Sequence, residues 1–297
     1  VSDQETAVAL PGLGIAATVS SAYRAVFGQF WPLCKAAALP FFLSLVIGVL
    51  GVFVADTHVV LDIGVQLLSL LPLVIFGIAW GRIVLVGPRS GAIPKPLFGR
   101  RTGVYFGYIL AHMLLIMLPI MGLVIAAVGT AFLTGGFAPG MELESGATQV
   151  LWLLPASFLL YLILLYFSAR LALVFPAVTL DQKLGLLGSW RLTRGSGFKL
   201  YIAMILIVIP VIVSVMIGGA FLGGLVFTNL DQPGLSLITA DGGLDLVTLA
   251  LIAAPATIFS VVVQYVTFGL IVAAFAKAYA QLSGWGGPRQ EVLERFE

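Results

Sequence analysis

The sequence holds two histidines, His58 and His112, and one cysteine, Cys34, each in a different segment. Hydrolysis or group transfer needs a base, a nucleophile or a metal held in mutual reach. No His-Glu-x-x-His, Gly-x-Ser-x-Gly or Walker A spacing supplies such a set. A lone cysteine makes neither an intrachain disulfide nor a cysteine-based metal site. No catalytic residue, cofactor-binding residue, cofactor or metal ligand is therefore assigned, and no nucleic-acid partner is expected. The polar side chains inside apolar runs are Gln66, His112, Ser214, Thr257, Ser260 and Gln264. Neutral groups of this kind usually join helices through hydrogen bonds. Ion-coupled transporters usually hold a carboxylate near the middle of the membrane, and this sequence offers none there. Gln66, His112 and Gln264 remain as candidates to line a cavity.

The chemistry left is electrostatic. Between Tyr161 and Tyr201 an apolar run reaches Arg170 and Pro176, and a short connector with Lys183, Trp190, Arg191 and Arg194 follows before the next apolar run. Arg82 ends an earlier run in the same way. Cations beside an anionic leaflet contribute roughly 1 kcal/mol each, within a Debye length. Arg82, Arg170, Lys183, Trp190, Arg191 and Arg194 are the candidate contacts for anionic lipid or for a partner membrane protein. Leu186, Leu187 and Trp190 are expected at the acyl boundary, and Arg170 is expected to snorkel to the interface. Asp181 is expected to cap the short helix that follows it. The competing reading is that the basic residues only set orientation.

The elements that must position these residues follow from composition. Sixty per cent of the chain is apolar and nine per cent is charged, against roughly 45–50% and about 25% in soluble domains. Such a chain suits a polytopic membrane protein, because lipid meets its apolar side chains. Six runs are long enough to cross a hydrocarbon core: near 32–55, 62–86, 104–133, 150–178, 199–227 and 247–280. The fold class is all-α, a single six-helix membrane domain over 15–283 between an N-terminal tail, 1–14, and a C-terminal tail, 284–297. Residues 1–14 lack the pattern of a cleavable signal, so the first crossing is expected to direct insertion. Residues 15–30 carry a helical apolar stripe of Ile15, Val19, Ala22, Tyr23, Val26, Phe27 and Phe30. That stripe reads as an interfacial helix, or as one packed on the protein's own basic face. Met113, Met117 and Met121 read as packing between helices rather than as metal ligands.

Charge sorts along this frame. Asp56, Asp62, Glu142, Glu144, Asp231, Asp241 and Asp245 fall on one side, and all fifteen basic residues fall on the other or at its interface. Loops retained in the cytoplasm are enriched in Lys and Arg, so both termini are expected to be cytoplasmic, in a bacterial inner membrane. Each run also carries one proline: Pro40, Pro72, Pro119, Pro155, Pro210 or Pro255. Bent helices are one way to enclose a cavity.

Arg82–Pro88 and Arg170–Pro176 share the pattern Arg-x-x-Leu-Val-x-Pro. Phe98 to Gly103 matches Trp190 to Gly195, and Pro119 matches Pro210, at nearly the same offset. These landmarks suggest a parallel duplication of a helix, basic turn and helix.

Residues 167–200, FSARLALVFPAVTLDQKLGLLGSWRLTRGSGFKL, carry a further signal in Arg170, Pro176, Asp181, the Gly-Leu-Leu-Gly-Ser-Trp-Arg connector, Phe198 and Lys199. The segment resembles a large bacterial group of poorly characterised multipass proteins. These are similar to the membrane domain attached to some glycerophosphodiester phosphodiesterases and to the YciC-like inner-membrane proteins. The resemblance implies a six-helix membrane module with no assigned reaction, and the chain lacks room for the phosphodiesterase's catalytic domain. Two functions are then in view. One is a non-enzymatic module engaging membrane lipids or another membrane protein; the other is a channel or carrier for a small or amphipathic solute. A lipid-modifying enzyme is a third. A cavity joining Gln66, His112 and Gln264 would favour transport, and a closed apolar core would favour the module.

Overall fold

The computed structural model describes residues 13–54, 59–88, 99–133, 153–230 and 246–285, and every regular element among them is a helix. In hydrocarbon a spanning segment must satisfy its own backbone, and a helix does this within one segment. The elements are α1 (Ile15–Gly28), α2 (Phe30–Val54), α3 (Val59–Val86), α4 (Arg100–Leu133), α5 (Leu153–Leu171), α6 (Val174–Thr179), α7 (Gly185–Leu192), α8 (Gly197–Leu230) and α9 (Leu246–Ser283). Among the described residues six stretches are long and apolar enough to cross a bilayer, within α2, α3, α4, α5–α6, α8 and α9. The chain is an all-α, multi-pass membrane protein. Most of the loop carboxylates (Asp56, Glu142, Glu144, Asp231, Asp241 and Asp245), His58, the 1–12 tail and residues 286–297 lie outside the described residues.

The fourth run, expected as one helix over 150–178, is two. Pro176 has no N–H to donate to the carbonyl of Ala172. The Phe175 amide takes that oxygen instead, at 3.1 Å, and the chain turns at Ala172–Leu173 before α6 resumes. The other prolines divide by position. Pro40, Pro72, Pro119, Pro210 and Pro255 sit inside helices. Pro155 lies in the first turn of α5, where a missing N–H breaks no helical bond.

Apolar side chains gain little by leaving lipid for a helix interface, so close approach and hydrogen bonds must hold the bundle. The contacts between α3 and α9 show both. Phe76 meets Tyr265 edge-on at 5.0 Å, and Trp80 Nε1 donates to the carbonyl of Gly269 at 2.9 Å. Both partners advance by four residues, so the two helices run parallel; at Gly269 a Cβ would lie 3.5 Å from Phe76 of α3 and 3.2 Å from Leu33 of α2. Ser44 of α2 shares a 2.9 Å hydrogen bond with Tyr265. Helix α1 packs on α8 and α9, burying Thr18, Ala22, Ala25 and Val26, and Tyr23 donates to the carbonyl of Ile207. Of the two readings of its stripe, packing on the protein's own helices describes most of it; Phe27 and Phe30 stay exposed.

Burial is uneven along the bundle. It concentrates in 74–85, 169–180, 200–207 and 265–279, the halves nearest the basic residues. Val59–Leu68, Leu114–Ile125 and Ile209–Ile217 are largely exposed. Met113, Met117 and Met121 are exposed on this outer wall.

Candidate functional site

The connector after α6 is held by the arginine that precedes it. The Arg170 guanidinium lies over the Trp190 ring, its Cζ 3.4 Å from the centroid. Its Nε donates to Thr193 Oγ1 at 3.1 Å and its Nη2 to the Trp190 carbonyl at 3.0 Å. Ser189 Oγ donates to the Arg170 carbonyl at 2.7 Å. Trp190 also stacks on Phe167, the ring planes nearly parallel and the centroids 5.6 Å apart. A Cβ on Gly197 would come within 2.8 Å of Arg170 Cδ, so only glycine lets α8 begin this close. Arg170 is therefore bound to the connector, and Trp190 is the platform on which its guanidinium lies. The connector's outer side is left with Lys183, Leu187, Arg191, Arg194, Phe198 and Lys199, all exposed. Leu187 and Phe198 are 76% and 67% exposed, an apolar pair among four cations. Leu186, expected beside Leu187, instead packs partly buried on the cluster around Tyr105.

Arg82 is elsewhere. It is 7% exposed, inside the core, with Gly81 against Thr179. It stands close enough to Arg101 for the two charges to repel. A side chain so buried meets no headgroup at the surface.

Asp181 does not cap α7, whose N-cap position is Leu184 with no side-chain bond. It accepts the fork of Arg101 instead: Nε donates to Oδ1 at 2.7 Å, and Nη2 donates to Oδ2. Asp181 has a φ of 57°, the left-handed region that Asp enters more readily than most residues. The turn is closed by the amide of Gln182 on the carbonyl of Ala177, and Tyr279 O–H donates to Gln182 Oε1. Between this turn and the start of α4 lies a cleft of about 580 Å³, lined by Arg100, Arg101, Val104, Tyr108, Val178, Lys183 and Leu184 as well as Asp181. Arg100 and Arg101 open α4 with no acidic residue in the first turn. Cations there oppose the helix dipole, whose positive end is the N-terminus. Sequence reading found Lys183 but passed over Arg100, Arg101 and Tyr108 as site residues. The signal available was an Arg-Arg pair opening a helix with no acid beside it; the Asp181 pairing lies 80 positions away.

The three candidate cavity residues are not brought together. Gln66 and Gln264 share an open groove of about 490 Å³ with Ser44, Asp62 and Ser69, and Gln66 Nε2 donates to Asp62 Oδ2 at 2.9 Å. His112 sits between α4 and α5, with Nδ1 3.1 Å from the Tyr108 carbonyl and Nε2 3.4 Å from that of Ser168. Its ring centroid is 4.9 Å from that of Phe175. A neutral imidazole donates to only one of these oxygens. A small apolar cavity of about 70 Å³ lies among Gly81, Tyr105, Phe175, Thr179, Phe268 and Val272. Among the described residues no three His, Cys, Asp or Glu side chains converge as a metal site. No protein-family model, curated protein or solved structure matches the chain.

Proposed function

We propose that this protein is a non-enzymatic module of the bacterial inner membrane that engages anionic lipid at its basic end, with that end and both termini on the cytoplasmic side. The observation that carries the reading is the outer side of the connector. Lys183, Arg191, Arg194 and Lys199 are exposed along the same connector as Leu187 and Phe198, the composition of an interfacial surface. The Arg170 clamp fixes that surface, so little ordering entropy remains to be lost when it meets a membrane. The separation of His112 from Gln66 and Gln264 supports a lipid module over a carrier. The likeness of residues 167–200 to multipass proteins without an assigned reaction agrees with it.

Replacing Arg191 and Arg194 together by glutamine tests the reading. Both side chains are exposed, so folding and insertion should be unchanged. Anionic lipid co-purifying with the protein, counted by mass spectrometry after matched detergent washes, should fall roughly thirtyfold, from about 1 kcal/mol for each of the two charges. Unchanged lipid retention in a correctly inserted double variant would leave these arginines a purely orienting role.

A further inference from the structure

We infer that the cleft between the start of α4 and the Asp181–Gly185 turn is a binding site for a phosphate group. Arg100, Arg101 and Lys183 all line it, and among the described residues Asp181 is the one carboxylate at this end of the bundle. Asp181 is already matched to Arg101 through both oxygens. Arg100 and Lys183 add positive charge on the same opening, at the helix end that is itself positive. Local features that oppose one another without a structural gain mark functional sites. A bound anion would relieve this conflict through the cationic side chains that line the cleft.

The cleft's chemistry narrows the anion. Guanidinium forks and an ammonium suit a tetrahedral group with several acceptor oxygens. Phenolic Tyr108 adds a further polar contact. Val104, Val178 and Leu184 form an apolar wall within the same space. That combination fits the phosphodiester of a phospholipid, with its glycerol and upper acyl carbons along the wall; a free phosphate shares the polar half only. The lipid source rests on the reading proposed above, whereas the phosphate site rests on the cleft alone.

The test uses the full chain in phosphatidylcholine nanodiscs with or without phosphatidylglycerol. A photoreactive benzoylphenylalanine replaces Val104, which is exposed, and lipid adducts are counted by mass spectrometry. Phosphatidylglycerol adducts should dominate over phosphatidylcholine adducts. They should fall roughly thirtyfold in Arg100→Gln/Lys183→Gln, from about 1 kcal/mol for each of the two charges, and persist in Arg100→Lys/Lys183→Arg. Arg24→Gln/Lys35→Gln removes the same charge from α1 and α2, where both residues are exposed, and should leave adducts within about twofold, its charges lying outside the cleft. Inorganic phosphate titrated into pure phosphatidylcholine discs forms the second arm. Protection of the protein against heat by phosphate, lost in the Gln pair, without selective lipid adducts would assign the site to free phosphate. Equal adducts from both lipids together with no phosphate effect would overturn the inference. That result beside a fall in lipid retention for Arg191→Gln/Arg194→Gln would leave the surface reading standing. The reverse pattern would remove the surface reading and keep the cleft.

Discussion

The two Arg-x-x-Leu-Val-x-Pro segments exchange one apolar residue for another at two positions and differ in kind at a third. In the first, the residue before proline is Gly87; in the second it is Phe175. Gly87 adopts a φ of 109° while its amide donates to the Ile83 carbonyl at 3.0 Å, and α3 ends there. Phe175 keeps a negative φ, its amide covers the carbonyl that Pro176 cannot reach, and the helix resumes as α6. Its ring packs 4.9 Å from those of both Tyr105 and His112. The continuation carries the chain to Asp181 and thus to Arg101. The arginines differ as well: Arg82 is enclosed by the core, whereas Arg170 lies against Trp190. A shared pattern thus fixes a helix end and a nearby cation, while the residue before proline decides whether the chain leaves or folds back. Shared landmarks do not bring shared surroundings, so duplication remains a proposal about ancestry.

Three substitutions probe that difference. The largest effect is expected for Phe175→Gly, which removes an aromatic contact and adds a glycine at the break. It should cost about 3 kcal/mol in detergent unfolding and loosen the Arg101–Asp181 pair, read as increased protease cleavage after Arg101. If unfolding is unaffected, α6 does not depend on the residue that distinguishes it. Trp190→Ala comes next, at about 2 kcal/mol, because the guanidinium of Arg170 loses its ring face. An equal loss in a variant already carrying Arg170→Met would show that the ring acts by packing and not through the cation. Smallest is Gly87→Ala, about 1 kcal/mol from placing a Cβ in the positive-φ region. A stabilised Gly87→Ala protein would mean that α3 does not need glycine to stop.

Much of the fold was legible because hydrocarbon imposes it. Runs drawn at 62–86 and 199–227 compare with helices Val59–Val86 and Gly197–Leu230, since apolar length alone sets a crossing. The break at Ala172–Leu173 was hidden because both sides are equally apolar. Pro176 was visible, but proline is tolerated in membrane helices, as Pro72 and Pro210 show. At the site, the exposed cations Lys183, Arg191 and Arg194 were legible as charge. The burial of Arg82, the stacking of Arg170 on Trp190 and the Asp181–Arg101 pair were not. Each depends on which helix lies beside which, and no local pattern encodes that.

The uneven burial along the bundle has a consequence for how the molecule opens. Regions rich in buried contacts separate only through costly openings, whereas a sparsely packed half of a crossing keeps its helical hydrogen bonds in hydrocarbon and can move only as an intact helix. Here Phe76, Trp80, Leu173, Leu200, Ile207 and Leu270 are nearly inaccessible, while Val60, Leu118 and Met216 face outward. The last unit to open is therefore the basic half, with the Arg170 clamp and the Asp181 turn at its edge. The other half of each long helix can tilt against lipid, still helical, without disturbing it.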